Sequence, residues 1–215
     1  MTETIIIIIA IALVFDFLNG MNDAANSVAT VVATRVLSPK AAVIWAAFFN
    51  FIAFLVFGVT VATTIGKGII LPSIVNNQLL LSALVGAIIW THFCTKLGLP
   101  ISVSHALIGG LIGAGVAKAG LSCLIPSGII KIALFIFLSP VIGLILAIIL
   151  TIATYQLVHK WSLKSVENNF GRLQLISAAM YSLSHGTNDA QKTMGIISIL
   201  LYSSGLLGQT FYVPF

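Results

Sequence analysis

The stretch Phe15-Asp16-Phe17-Leu18-Asn19-Gly20-Met21-Asn22-Asp23-Ala24 returns 166 residues later as Tyr181-Ser182-Leu183-Ser184-His185-Gly186-Thr187-Asn188-Asp189-Ala190. Gly20/Gly186, Asn22/Asn188, Asp23/Asp189 and Ala24/Ala190 are identical, and Phe15/Tyr181 is a conservative pair. The whole chain holds only five acidic residues, and two of them occupy equivalent places in this repeat. Chance likeness is common in apolar sequence, but it does not select Gly-x-Asn-Asp-Ala twice. Both copies lie inside apolar runs, so each places an aspartate where the surroundings are hydrocarbon.

The rest of the composition agrees with that setting. Of 215 residues, 59% are hydrophobic and 7% charged, against about a quarter charged in a soluble domain. So few charges cannot solvate a water-soluble globule, which excludes a soluble enzyme, a disordered chain and a nucleic-acid-binding module. The chain reads as an all-α polytopic membrane protein. The net charge of +5 then reports on loop topology. Cys94 and Cys123 form no metal-binding spacing and suggest no disulfide framework. No base precedes the first apolar run, as one would in a secretory signal, so the run is read as a retained helix.

Apolar runs cover Ile5 to Leu18 and Ala24 to Val36, then about Ala41 to Ile65, with Asn50 as its strongly polar residue. Leu79 to Leu97 and Ala106 to Ala119 flank Gly98-Leu99-Pro100-Ile101-Ser102-Val103-Ser104-His105. Short, glycine-rich arms around a polar tip suggest a re-entrant hairpin over about 79–119, because irregular backbone at membrane depth is tolerated beside a cavity. The rival reading is two ordinary spans joined outside the bilayer. Residues 127–158, with Pro140 inside, read as one long span that is kinked or tilted. Residues 159–172 read as a polar cytoplasmic loop. This divides the chain into a first repeat over 1–158 and the start of a second over 173–215. If the loops bearing Arg35, Lys40, Lys160, Lys164 and Arg172 are cytoplasmic, the N-terminus is outside and the two Asn-Asp copies run in opposite directions. Inverted repeats with helices broken at matching positions characterise many secondary transporters.

An ionised aspartate at mid-bilayer costs at least about 2.5–3.5 kcal/mol on insertion scales. The chain offers few bases to pair Asp23 and Asp189, so a bound cation is the expected partner. Asn22, Asn26 and Asn188 could add amide oxygens to the carboxylates, or the Asn-Asp pairs could simply cap helices at a break. Ser102 and Ser104 open the second hairpin arm, where backbone N–H groups favour anions, and Thr187 could do likewise in the second copy. The plainer reading of both serines is capping alone. His105 could be an anion donor, a proton carrier or a packed interfacial residue. His92 and His185 carry weaker signals. Lys192 is either a salt-bridge partner of Asp189 or an anion contact. Carboxylates that attract cations beside helix starts that attract anions imply anion–cation symport.

Asn19-Gly20-Met21-Asn22-Asp23-Ala24-Ala25-Asn26-Ser27-Val28-Ala29-Thr30 resembles the signature of the PiT family of inorganic phosphate transporters. Pro100-Ile101-Ser102-Val103-Ser104-His105 with Gly109-Gly110 resembles that family's hairpin tip, and Ser184-His185-Gly186-Thr187-Asn188-Asp189-Ala190-Gln191-Lys192 resembles its second signature. The resemblance implies two inverted repeats and symport of phosphate, or of a metal–phosphate complex, with sodium or protons across the cell membrane, with no other cofactor. It implies a coupling-cation site at Asp23, Asn26 and Asp189. It implies phosphate contacts from Asn22, Ser102, Ser104, His105, Thr187 and Asn188. Two departures stand out. Eukaryotic members carry a glutamate where this chain has Asn50, which is closer to the bacterial and archaeal branch. Members also continue to a second hairpin, whereas this sequence stops at Phe215, so a fragment, or a site completed by another polypeptide such as a second copy, is expected. The competing functions are an intramembrane aspartyl enzyme, whose two carboxylates would share a proton, and a passive anion channel.

Overall fold

The computed structural model describes residues 2–53, 59–208 and 210–213. Seven α-helices account for most of them: α1 (Thr2–Ala33), α2 (Pro39–Ile52), α3 (Thr60–Lys67), α4 (Asn77–Lys96), α5 (Val103–Ala119), α6 (Pro126–Val158) and α7 (Leu163–Ser203). No strand occurs among the described residues. Three helices are long and apolar enough to cross a bilayer: Glu3–Ala33, Asn77–Lys96 and Pro126–Val158. The all-α membrane architecture expected from composition is the one observed.

Starts and stops follow local chemistry. Ser38, Asn76, Ser102 and Ser162 cap α2, α4, α5 and α7, each side chain accepting from the backbone N–H three residues on, which satisfies an otherwise orphaned donor. Pro39 and Pro126 occupy first-turn positions of α2 and α6, where a missing N–H costs nothing. Gly98 ends α4 in the left-handed region (φ 66°), and Leu99 N–H then reaches back to the Cys94 carbonyl.

The helices do not break where the sequence suggested. α1 runs through Asn19–Asp23 and α7 through Ser184–Asp189 without interruption. The reason is visible in the asparagines: Asn22 Nδ2 donates to the Leu18 carbonyl at 2.8 Å and Asn188 Nδ2 to the Ser184 carbonyl at 3.0 Å. Each amide bonds back along its own helix instead of capping a new one. The two motif copies thus share a local structure. The polar stretch 159–172 is also mostly helix, since α7 begins at Leu163 and only 159–162 connect it to α6. The expected span from Ala41 to Ile65 is represented by α2 and α3; residues 54–58 between them lie outside the described set.

α1 and α7 pack antiparallel. Thr34 Oγ1 donates to Gln174 Oε1 at 2.9 Å, Lys192 Nζ reaches Asn19 Oδ1 at 3.5 Å, and Thr193 Oγ1 donates to Asp16 Oδ1 at 2.9 Å. As one number rises the other falls, so the two Asn-Asp motifs meet at one level. The same register brings the α1–α2 connection, with Arg35 and Lys40, to the end where α7 starts, with Lys164 and Arg172. α2 joins them through Trp45 Nε1, which donates to the Leu175 carbonyl.

α4 and α5 form a helical hairpin. Its open ends are tied by a short antiparallel bridge in which Leu71 N–H bonds the Cys123 carbonyl and Ile125 N–H the Ile69 carbonyl, both at 2.9 Å. Gly110 lets the arms close, because a Cβ there would strike the Ala83 carbonyl. The apolar core lies between this hairpin and the flanking helices: Ile8, Ala12 and Phe15 of α1, Leu80 and Leu84 of α4, Leu107 and Leu111 of α5, Ile196 and Leu200 of α7. At the tip, Thr95 Oγ1 donates to Asn22 Oδ1 at 2.8 Å. Asn22 lies 11 residues before the end of α1, about 16 Å at 1.5 Å per residue. The tip therefore meets the side of α1 and stops well short of its end. α6 buries none of its residues.

Candidate functional site

The antiparallel register decides the site. On a continuous α1, Asp16, Asn19 and Asp23 share one face by their i, i+3, i+7 spacing. On α7, His185, Asp189 and Lys192 share another. The faces oppose each other, and ligand atoms of Asp23, His185 and Asp189 lie within 4.8 Å of one another.

Asp189 is the hub. Its Oδ1 is 2.7 Å from Lys192 Nζ and its Oδ2 is 3.0 Å from His185 Nε2. The imidazole contact is close, but Nε2 has no partner in good hydrogen-bond geometry among the described residues. The Tyr181 ring stacks on His185, centroids 5.9 Å apart. Lys192 is buried, with 6% of its surface exposed. Of the two roles open to Lys192 in the sequence, the salt bridge to Asp189 is the one observed. Asp23 forms no salt bridge among the described residues; it accepts from Asn26 Nδ2 at a long 3.5 Å.

Two cavities meet at this hub, and both His185 and Asp189 line each. The first, about 350 Å³, lies between α1, α2 and α7 and includes Asp16, Asn19, Gly20 and Asn50. Asn19 Nδ2 and Asn50 Oδ1 are buried there without a partner among the described residues, and such groups favour any ligand able to bond them. The second, about 540 Å³, is bounded by α1, α3, α5, α6 and α7 and includes Asp23, Thr60, Thr64, Ser104, Lys131, Asn188 and Lys192. The start of α3 is held beside it, because Gln191 Oε1 of α7 accepts from Val61 N–H at 2.8 Å and Ala62 N–H at 3.3 Å.

Among the residues singled out from sequence, Asp23, Ser104, Asn188 and Asp189 surround the larger cavity together. Asn26 is exposed beside Asp23. Asn22 is committed to Leu18 and Thr95. Ser102 is exposed and caps α5. The His105 side chain is exposed and lines neither cavity. Thr187 is buried and donates to the Leu183 carbonyl. Sequence reasoning passed over Asp16, Asn19, Thr60, Thr64 and Lys131, and ranked His185 too low. For Asp16 and Asn19 the signal was present: their spacing to Asp23 is a helical stripe, hidden by reading a break at Asn19. For Thr60, Thr64 and Lys131 no local pattern marks them.

Chemically, the hub offers carboxylate and amide oxygens to a hard cation. The larger cavity adds hydroxyl, amide and ammonium donors suited to an oxyanion.

A family described as "Phosphate transporter family" matches residues 19–165 and again 159–214. The chain is 56% identical over 208 residues to a "probable low-affinity inorganic phosphate transporter" of Rhizobium meliloti (strain 1021), covering 97% of this chain and 62% of that protein. It is 42% identical over 203 residues to the protein of the same name in Bacillus subtilis (strain 168), covering 94% and 61%. A solved structure described as "The sodium-dependent phosphate transporter" superposes with a TM-score of 0.81 at 25% identity, covering all of this chain and 71% of that one. The chain thus spans about three fifths of the length of these two relatives. Both relatives are named as transporters, and neither as an enzyme. The chain belongs to the phosphate transporter family.

Proposed function

We propose that the protein carries inorganic phosphate across the cell membrane by symport with sodium, and that α1 and α7 build the shared ion site. The observation that carries this reading is the meeting of two equivalent Asn-Asp motifs on antiparallel helices, with Asp23 and Asp189 at one level beside Ser104 of the hairpin. Antiparallel copies are what an inverted repeat requires, and a site at the repeat interface suits alternating access. The hairpin is re-entrant in this reading, because its tip stops at mid-α1. A phosphate oxyanion in the larger cavity meets donors from Ser104, Asn188, Lys131 and Lys192. Sodium at Asp23, with Asn26 and Asp189 nearby, offsets the charge that would otherwise oppose an anion at this depth. Sodium is favoured over protons because the structural neighbour is a sodium-dependent phosphate transporter. The end bearing Arg35, Lys40, Lys164 and Arg172 is cytoplasmic on the positive-inside rule, which leaves the N-terminus outside.

Radiolabelled phosphate uptake by phosphate-transport-deficient cells expressing the protein tests this, with sodium replaced by choline at fixed pH. Loss of uptake in choline supports sodium symport. Uptake that survives choline but collapses with a proton ionophore assigns the coupling to protons. Uptake insensitive to both makes the protein a passive channel. Uptake that requires a divalent metal identifies a metal–phosphate complex as the cargo.

A further inference from the structure

Among the differences between the two copies of the motif is the residue three positions beyond the aspartate. Asp23 is followed three residues later by Asn26, and Asp189 by Lys192. These positions are equivalent in the repeat, and both sit one turn beyond their aspartate on an unbroken helix. In the first copy the neighbour is a neutral amide 3.5 Å from the carboxylate. In the second it is an ammonium 2.7 Å from the carboxylate and 3.5 Å from the amide oxygen of Asn19.

We propose that Lys192 is a built-in counter-cation, filling in the second copy the place that a transported cation takes in the first, so that this chain binds one coupling cation fewer than its two carboxylates would otherwise hold. The inference rests on the cation-coupled reading above and refines it. Three features support it. The ammonium is held between a carboxylate of one copy and an amide oxygen of the other, the same oxygen donors a hard cation would choose. It is 6% exposed, so the pair is not a solvent-screened surface contact of little consequence. And Asp23, whose carboxylate lies within 4.8 Å of ligand atoms of His185 and Asp189, makes no salt bridge of its own among the described residues, which leaves one carboxylate for a mobile ion. The ammonium cannot leave, so it contributes charge compensation to the bound state without being carried.

The test counts ions. Purified protein is equilibrated with saturating ²²Na and phosphate, and bound sodium per chain is read by scintillation proximity. Lys192→Asn restores the residue of the first copy and is expected to bind one more sodium per chain than the unsubstituted protein. Lys192→Gln, closer in length, is expected to do the same and serves if the asparagine variant does not fold. Asn26→Lys, at an exposed position, is expected to bind one sodium fewer, because it places an ammonium beside Asp23. An unchanged count in both Lys192 variants overturns the inference while leaving sodium coupling intact, and this is the result expected if Lys192 serves phosphate alone. An unchanged count in Asn26→Lys overturns it as well. No sodium bound by any of the proteins overturns the inference together with the sodium reading beneath it.

Discussion

Gly20 and Gly186 are the same residue in the two motif copies, yet alanine should act on them in opposite directions. A Cβ at Gly186 would lie 2.5 Å from the Asn50 carbonyl oxygen and 2.7 Å from the Asn50 Cα. Both atoms are backbone of α2, so neither can rotate away. Overpacking of this kind costs about 1–3 kcal/mol, and the better helix propensity of alanine returns about 1 kcal/mol. The net expectation for Gly186→Ala is a loss of about 1 kcal/mol. At Gly20 nothing lies within 4 Å of the added carbon, so Gly20→Ala should gain about 1 kcal/mol from propensity alone. For a chain of this size each such step moves the Tm by about 2–4 °C. Cys94 and Cys123 are free and buried, so a fluorogenic maleimide reports unfolding of detergent-solubilised protein without added labels. Gly186→Ala should melt lower than the unsubstituted protein and Gly20→Ala higher. Equal melting of the two variants would refute the close packing of α2 on α7 at the second motif.

Asp23→Asn and Asp189→Asn should each abolish sodium-dependent phosphate uptake while the protein still inserts; only Asp189→Asn should also lower the Tm, because it strips Lys192 of its carboxylate, and losing one partner of a buried pair costs about 3–5 kcal/mol. Ser104→Cys should react with a small polar thiol reagent and be protected by phosphate, whereas Ser102→Cys should react without protection, since only Ser104 lines the larger cavity; equal protection of both would contradict that geometry. Thr95→Val removes the bond from the hairpin tip to Asn22, worth about 1 kcal/mol, and should weaken phosphate binding about fivefold if the tip must be held for Ser104 to reach the ligand. Unchanged affinity in that variant would show that the tip is placed by apolar packing alone.

Composition was enough to reach the all-α membrane class, and the duplicated motif pointed to the pair of aspartates that the structure brings together. What the sequence hid was the state of the helix at each motif. Asparagine, glycine and aspartate in succession read as a break because each disfavours a helix interior. Inside the protein Asn22 and Asn188 meet their own needs along the helix, so no end is created. That single difference removed Asp16 and Asn19 from view, since a stripe spaced 3 and 4 residues is recognisable only on continuous helix. On the intact helices Thr187 bonds the Leu183 carbonyl, and Asn22 bonds the Leu18 carbonyl and accepts from Thr95. Lys192 illustrates a further limit. Its spacing to Asp189 allowed a salt bridge, but only the antiparallel approach of α1, with Asn19 behind the ammonium, shows the pair closed off from solvent.

The central claim is that both motifs contribute to one site holding sodium and phosphate together. Its most direct test is reciprocity in the purified protein: phosphate affinity measured across sodium concentrations, and sodium affinity across phosphate concentrations. Coupled ligands change each other's affinity by the same factor, and the opposite charges of sodium and phosphate make that change a gain. The gain in phosphate affinity with sodium should equal the gain in sodium affinity with phosphate, and both should be lost in Asp23→Asn. Phosphate binding that is indifferent to sodium, or that persists unchanged in Asp23→Asn, would contradict it.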